Sequence, residues 1–347
     1  MPASARGASP GTHLGFPTDS LEKIRSFVGG QLSELYDLER EGSTVTKYLR
    51  AKCLCPLRAD ANDKGYLSRP HIAIASDCGR GYEIISDKEI FLFQNAIVRV
   101  PARNFADGLT TVSLGVPRLD VVLQQHTSYC AALKLCGLAV TSLPADERYP
   151  DSAFVEDTAI LTERGAILTR PGAASRAGET AEIREEIARF FPTMAEIEAP
   201  GTLDGGDICE AGSHFLIGVS QRTNEEGARQ LGVHLAKLGY TSSTIDIRKM
   251  TSILHLKSGV SYIGGETLVV MAEMAEKEVF RKYQRILVPL EESYAANCVW
   301  VNGRILMAEG YPQLRAALVN HGLELIVLEM SEFQKMDGGL SCLSLRF

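Results

Sequence analysis

The 347-residue sequence contains no apolar run near the roughly 18 residues that a membrane span requires. It has no excess of basic charge either. Asp and Glu number 43 against 36 Lys and Arg, for a net charge of −7. Nucleic-acid and anionic-membrane binders carry a basic footprint, so neither kind of partner is expected. Cysteine is sparse at 8 residues, too few for a disulfide scaffold. No Cys-x-x-Cys pair occurs, since Cys53 and Cys55 are separated by a single residue. Reduced thiols and a cytoplasmic location are the expectation. What is present is ordinary globular composition, 45% apolar and 23% charged, enough for a packed core without staples. The length predicts about two domains, or one large domain with an extension.

The first 90 residues offer no chemical motif. Residues 1–18 are rich in Ala, Gly, Ser and Pro and read as a tail. A transit peptide would want more than their one Arg, and no apolar segment marks a secretory signal. Asp19 and Glu22 can form a capping box for a helix over 19–41. Leu21, Ile24, Phe27, Val28, Leu32 and Leu35 repeat there at helical spacing, although Gly29-Gly30 interrupts them. Short β runs, His71–Ser76 and Tyr82–Ser86, flank the turn at 77–81. The expected organisation is an N-terminal extension over 1–90 and a main domain over 91–347.

The main body alternates strand and helix. Five helices are predicted: Pro117–Cys136, Glu179–Phe191, Asn224–Leu238, Met271–Tyr283 and Pro312–His321. Thr158–Thr162 and Ala166–Thr169 read as a hairpin. Cys298–Val301 and Arg304–Met307 read as another over Asn302-Gly303, the strongest hairpin signal in the chain. A spacing of roughly 50 residues per unit suggests a propeller or an array. One echo supports repetition: Leu203-Asp-Gly-Gly-Asp-Ile-Cys209 resembles Met336-Asp-Gly-Gly-Leu-Ser-Cys342. Equivalent loops of a pseudo-symmetric ring would converge on its axis.

Several residues carry possible chemistry. Asp146, Glu147, Asp151, Glu156 and Asp157 form an acidic run, which is either a solvated loop or a partly buried cluster. Buried carboxylates need a cationic partner, and a planar guanidinium matches their oxygens. Cys342 follows two glycines, which let backbone approach a ligand closely. A Cys nucleophile needs an acid/base partner. His255, read within a β run, is the best of the 7 His, because His126 falls on an apolar helix stripe and reads as core. Arg176 and Arg222 stand at loop-to-helix junctions, where they are either surface residues or a grip for a carboxylate.

Together these segments resemble the dimethylarginine dimethylaminohydrolases of the guanidino-group-modifying (pentein) superfamily. The stretches that carry the resemblance are PARNFADGLTTVSLG (101–115), DERYPDSAFVED (146–157), TRPGAASRAGET (169–180), APGTLDGGD (199–207), ESYAANCVWVN (292–302) and MDGGLSCLSLRF (336–347). The resemblance implies an α/β fold, a five-bladed α/β-propeller of ββαβ-type modules with its site on the axis. By position it implies Cys342 as nucleophile, His255 as general acid/base and Asp204 as the third catalytic residue. Glu156 and Asp157 are implied at the guanidinium, Asp151, Arg176 and Arg222 at the amino-acid end, and Leu109 in a mobile lid. The implied reaction is hydrolysis of Nω-methylated L-arginine to L-citrulline and an alkylamine through a Cys-thiouronium intermediate. No metal or organic cofactor is implied, and the expected assembly is a monomer or homodimer. Two rivals remain at this point: an arginine deiminase or other amidino hydrolase or transferase, and a non-catalytic binding protein on the same propeller.

Overall fold

The computed structural model describes residues 92–347. The tail, the 19–41 helix and the 71–86 strands lie outside the described residues.

The strands are short because aliphatic runs are broken every few residues by turn formers. They are β1 (Asn95–Arg99), β2 (Ala139–Leu143), β3 (Ala159–Thr162), β4 (Gly165–Leu168), β5 (Met194–Glu196), β6 (Ile208–Ala211), β7 (His214–Val219) and β8 (Thr241–Asp246). After them come β9 (Val260–Tyr262), β10 (Thr267–Met271), β11 (Gln284–Val288), β12 (Val299–Val301), β13 (Arg304–Ala308), β14 (Glu324–Leu328) and β15 (Leu345–Arg346). They form five sheets of three strands, ordered β15-β1-β2, β3-β4-β5, β6-β7-β8, β9-β10-β11 and β12-β13-β14. In every sheet the middle strand is antiparallel to the first and parallel to the third. This is the five-bladed α/β-propeller that the family resemblance implied, and it agrees with the repeat spacing. The ring closes where β15 pairs with β1, Ile97 opposite Leu345.

A parallel pair needs a crossover. In four sheets it is a helix: α1 (Leu119–Leu135), α2 (Thr180–Ile187), α3 (Glu225–Lys237) and α4 (Pro312–Asn320). Each lays an apolar stripe on its sheet. Tyr129 and Leu133 pack with Ala96 and Val98. Ile183 and Ile187 pack with Leu161 and Leu168. Leu231 and Leu235 pack with Phe215 and Ile217, and Leu314 and Leu318 with Ile305 and Met307. A further single-turn helix, α5 (Ser331–Gln334), follows β14.

Two expectations need correction. The helix predicted over Met271–Tyr283 is absent. Met271 ends β10, and the crossover is two 3-10 turns, Ala272–Met274 and Glu278–Phe280, separated by an extended Lys277. Its buried anchors Met271, Met274, Phe280 and Tyr283 are three, six and three apart. That spacing suits turns with three residues per repeat rather than the 3.6 of an α-helix. His255, in turn, lies outside any strand. It has an extended backbone and leads into the 3-10 turn Leu256–Ser258. The helix-stripe reading of His126 agrees with the structure: it is buried on α1, where burial pulls its pKa down to about 4.

Candidate active site

The first strand of each sheet is preceded by a 3-10 turn: Val155–Thr158, Gly205–Asp207, Leu256–Ser258, Leu290–Ala296 and Ser341–Leu343. Equivalent positions in five modules therefore meet, and the chemistry-bearing residues sit on or beside these turns. The two halves of the sequence echo are two of them. In both, the glycines make room for protein rather than for a ligand. A Cβ on Gly206 would stand 2.8 Å from the His255 ring, and one on Gly339 would stand 2.6 Å from the Asn297 amide.

Cys342, His255 and Asp157 line a narrow cleft whose wall includes Phe154, Leu254 and Met336. Asp157 Oδ1 accepts the Gly206 N–H at 2.8 Å, and its Oδ2 takes Arg176 Nη1 at 2.5 Å. Burial opposes ionisation of Asp157, but His255 and Arg176 outweigh it and hold its pKa at about 2. Asp204 lies behind His255 and is fully buried. It accepts the Gly172 N–H at 2.7 Å, and its Oδ2 is 3.0 Å from His255 Nε2. Burial also opposes a charge on His255, yet Asp157, Asp207 and Asp204 raise its pKa to about 9. At neutral pH the imidazole is therefore protonated.

The thiol of Cys342 goes the other way. Burial, then Glu156 and Asp157, push its pKa up to about 12. One hydrogen bond, from the Gly339 N–H at 3.4 Å, works against that. The site thus holds a neutral thiol beside an imidazolium and a carboxylate, ready for a cationic electrophile rather than as a preformed thiolate. Donor atoms of Asp157, Asp204 and His255 lie within 4.8 Å of one another, a spacing that would also suit a metal cation.

Leu109, Asp151, Arg176 and Arg222 also line the cleft. Asp151 accepts the Leu109 N–H through both oxygens, at 3.0 and 3.2 Å, and burial raises its pKa. Leu109 is exposed at the rim and opens a largely exposed stretch running to Arg118. Arg176 is buried, forked onto Glu179 at 2.9 and 2.7 Å. Arg222 is the freer cation: it is half-buried, and its Nη1 is 3.9 Å from Asp204 Oδ2.

Glu156 stands apart from the other expected residues. It does not line the cleft. Its Oε1 pairs with Lys257 Nζ at 2.6 Å, and its Oε2 accepts the Ser341 hydroxyl at 2.8 Å. Its charge reaches Cys342 while its oxygens are already taken.

A curated dimethylarginine dimethylaminohydrolase of Pseudomonas aeruginosa is 48% identical over 257 residues, 74% of this chain and all of that protein. The chain belongs to the dimethylarginine dimethylaminohydrolase family. The Streptomyces coelicolor enzyme of that name is 34% identical over 73% of this chain and 96% of its own. A structure of a Cys-to-Ser variant of the P. aeruginosa protein complexed with citrulline superposes with a TM-score of 0.72, covering 74% of this chain and all of that one. The N-terminal domain of a cyanobacterial arginine dihydrolase shares the fold at 18% identity and a TM-score of 0.65, over 73% of this chain and 97% of that domain. The family model described as arginine deiminase matches residues 147–300.

Sequence reasoning missed Glu179, Asp207, Lys257 and Asn297. Asp207 accepts the hydroxyls of Ser220 and Thr223, each at 2.6 Å, and the Leu256 N–H at 3.0 Å. It thereby holds the residue after His255. Aligning the five turns would have exposed Asp207 and Asn297, since both fall within or just after one. Glu179 stands at i,i+3 from Arg176, a local pairing the sequence did offer, whereas Lys257 left no signal because its partner Glu156 lies 101 residues away.

Proposed function

We propose that this family member hydrolyses Nω-methylated L-arginine to L-citrulline and dimethylamine or methylamine. The observation that carries this reading is Cys342, a thiol kept neutral by burial and by carboxylates, in one cleft with protonated His255 and ionised Asp157. A negative nucleophile is disfavoured there until a cation arrives. A guanidinium is such a cation, and its fork matches Asp157.

The steps follow from that charge pattern. The guanidinium docks on Asp157, with its carbon facing the Cys342 sulfur, and the amino-acid end reaches Arg222, Arg176 and Asp151. Cys342 gives up its proton to solvent water as the substrate charge lowers its pKa, and the sulfur attacks the guanidinium carbon; the released proton ends on the free alkylamine once it has left. His255, kept protonated by Asp157, Asp207 and Asp204, gives a proton to the departing alkylamine, which would otherwise be a very poor leaving group. The neutral imidazole then takes a proton from water, which attacks the thiouronium carbon and releases citrulline and the Cys342 thiol. Orientation of carbon against sulfur supplies much of the rate. Residues 91–347 hold every residue named in this cycle and form the catalytic domain of the reading.

Arginine itself is the second candidate substrate, favoured by the arginine deiminase match over 147–300. It differs only by the methyl groups, and a methyl is worth about 1–3 kcal/mol in a pocket. Incubation with asymmetric dimethylarginine and, separately, with arginine decides between them. Citrulline from the first at a higher kcat/KM is expected. Citrulline from arginine alone would make the chain a deiminase, and none from either would leave a binding protein on the same propeller. Among the described residues, no helix is long and apolar enough to cross a membrane.

A further inference from the structure

The turn Leu290–Ala296, like Gly205–Asp207, has no member or immediate neighbour lining the cleft. Asn297, the residue that follows it, is buried and faces two of the other turns. Its Nδ2 donates to the Lys257 carbonyl and to the Ser341 hydroxyl, both at 3.0 Å. Its Oδ1 accepts the Ser341 N–H at 2.9 Å. Ser341 passes the chain on, donating its hydroxyl to Glu156 Oε2 at 2.8 Å. Glu156 Oε1 returns it to Lys257 Nζ at 2.6 Å. The bonds form a closed circuit: Asn297, Ser341, Glu156, Lys257 and back to Asn297.

Three of the four members lie within two residues of the proposed chemistry. Ser341 precedes Cys342, Glu156 precedes Asp157, and Lys257 is two residues after His255. The circuit has one consistent assignment of protons. A carboxylate only accepts, so Ser341 must donate to Glu156 and accept from Asn297. A backbone carbonyl only accepts, so the amide nitrogen of Asn297 must face Lys257. Turning the amide over would set two acceptors against each other and two donors against the Ser341 N–H. The close approach of Gly339 to the same amide leaves little room for another side chain.

We propose that Asn297 is a positioning residue for the hydrolysis: its single amide fixes the distance between the nucleophile loop and the acid/base loop. The proposal rests on the functional reading above. Asn297 does not line the cleft. It acts through Ser341 and Lys257, whose backbones it joins. Without the amide, the Ser341 N–H loses its partner and the Lys257 carbonyl loses the only side chain shown bound to it. A shift of about 1 Å in such a constellation can cost roughly 100-fold in rate.

The test compares wild type with Asn297→Ala and Asn297→Asp. Asn297→Asp keeps the acceptor for Ser341 and the side-chain volume but loses both donors, so it covers the case in which Asn297→Ala does not fold. Kinetics with asymmetric dimethylarginine are measured together with amide hydrogen exchange of peptides covering 338–343 and 255–258. The expected result is a kcat lower by about 10- to 100-fold with KM within about threefold, the pattern of lost alignment. Exchange should rise in those two peptides but not in the outer helices. Unchanged kcat, a loss confined to KM, or unchanged exchange in both peptides would overturn the proposal. If wild type itself fails to turn over dimethylarginine, the functional reading falls. The exchange comparison still decides whether Asn297 joins the two loops.

Discussion

His255 Nε2 and Asp204 Oδ2 lie 3.0 Å apart, and Asp204 has no exposed surface. A carboxylate so placed keeps the imidazole charged and fixes its ring plane. The pair comes from two modules 51 residues apart, joined because Gly206 lets the Asp204 turn lie against the ring. Replacing Asp204 with Asn removes a negative charge from a site that raises the pKa of His255. That pKa should then fall from about 9 toward 6.5. If protonated His255 is needed to release the amine, the alkaline limb of kcat against pH moves down by one unit or more. A profile that keeps its alkaline limb near 9 would show that Asp157 and Asp207 set the charge without Asp204.

The raised thiol of Cys342 makes a second expectation. Thiolate absorbance against pH, with Cys342→Ser subtracted, should show no ionisation of this Cys below pH 9. A bound, non-reacting guanidinium analogue should lower the titration by one or more units. A thiolate already present near pH 6 without the analogue would indicate a preformed ion pair with His255. Cys342→Ser itself should bind substrate and make no citrulline.

Gly206→Ala places a methyl 2.8 Å from the His255 ring and 3.0 Å from Asp157 Oδ1. Neither neighbour can yield without leaving its partner. The variant should lose roughly 100-fold in kcat, the scale of a misplaced catalytic group. It should also unfold at a lower temperature, because two buried ionised groups lose alignment. Near-normal turnover would mean that the His255 loop tolerates displacement.

Stability should depend on pH through His255. Its pKa is raised on folding from 6.5 to about 9, so the folded state binds the proton more tightly. That contribution is fully present below pH 6.5 and is lost as pH rises through 9. It amounts to about 3 kcal/mol at 1.36 kcal/mol per unit. Denaturant melts of wild type and His255→Gln should therefore differ most at pH 6 and converge by pH 10. A constant gap across that range would mean that packing, not protonation, accounts for the difference.

A chain that starts at Leu92 should fold and keep wild-type kcat, since every residue assigned a role lies between Leu109 and Cys342. Cooperative unfolding without turnover would mean that residues before Leu92 contribute to the site.

The local chemistry of the chain was legible in one dimension. Asn302-Gly303 specified its hairpin through φ values of 50° and 88° that suit Asn and Gly. The stripes on α1, α2, α3 and α4 marked which faces would be buried. The acidic run, the two Asp-Gly-Gly loops and the late Cys342 marked where chemistry was possible, and family resemblance assigned their roles. By itself the sequence determined strand and helix spacing, the repeat, and the residue types available at each turn. Where spacing was ambiguous it misled: Met271–Tyr283 has apolar residues in threes, which a helix and 3-10 turns both accommodate.

Only the tertiary structure decided which charges face which. Glu156 and Asp157 are adjacent in sequence, yet one turns to Lys257 and Ser341 outside the cleft while the other turns to Arg176 within it. Adjacent side chains on a tight turn point in different directions, so their neighbours come from other modules. Protonation follows the same rule. A thiol near 12 and an imidazole near 9 arise from burial and from carboxylates supplied by separate turns. Coulomb energy depends on distance in space, and those distances exist only once β15 has closed the ring on β1.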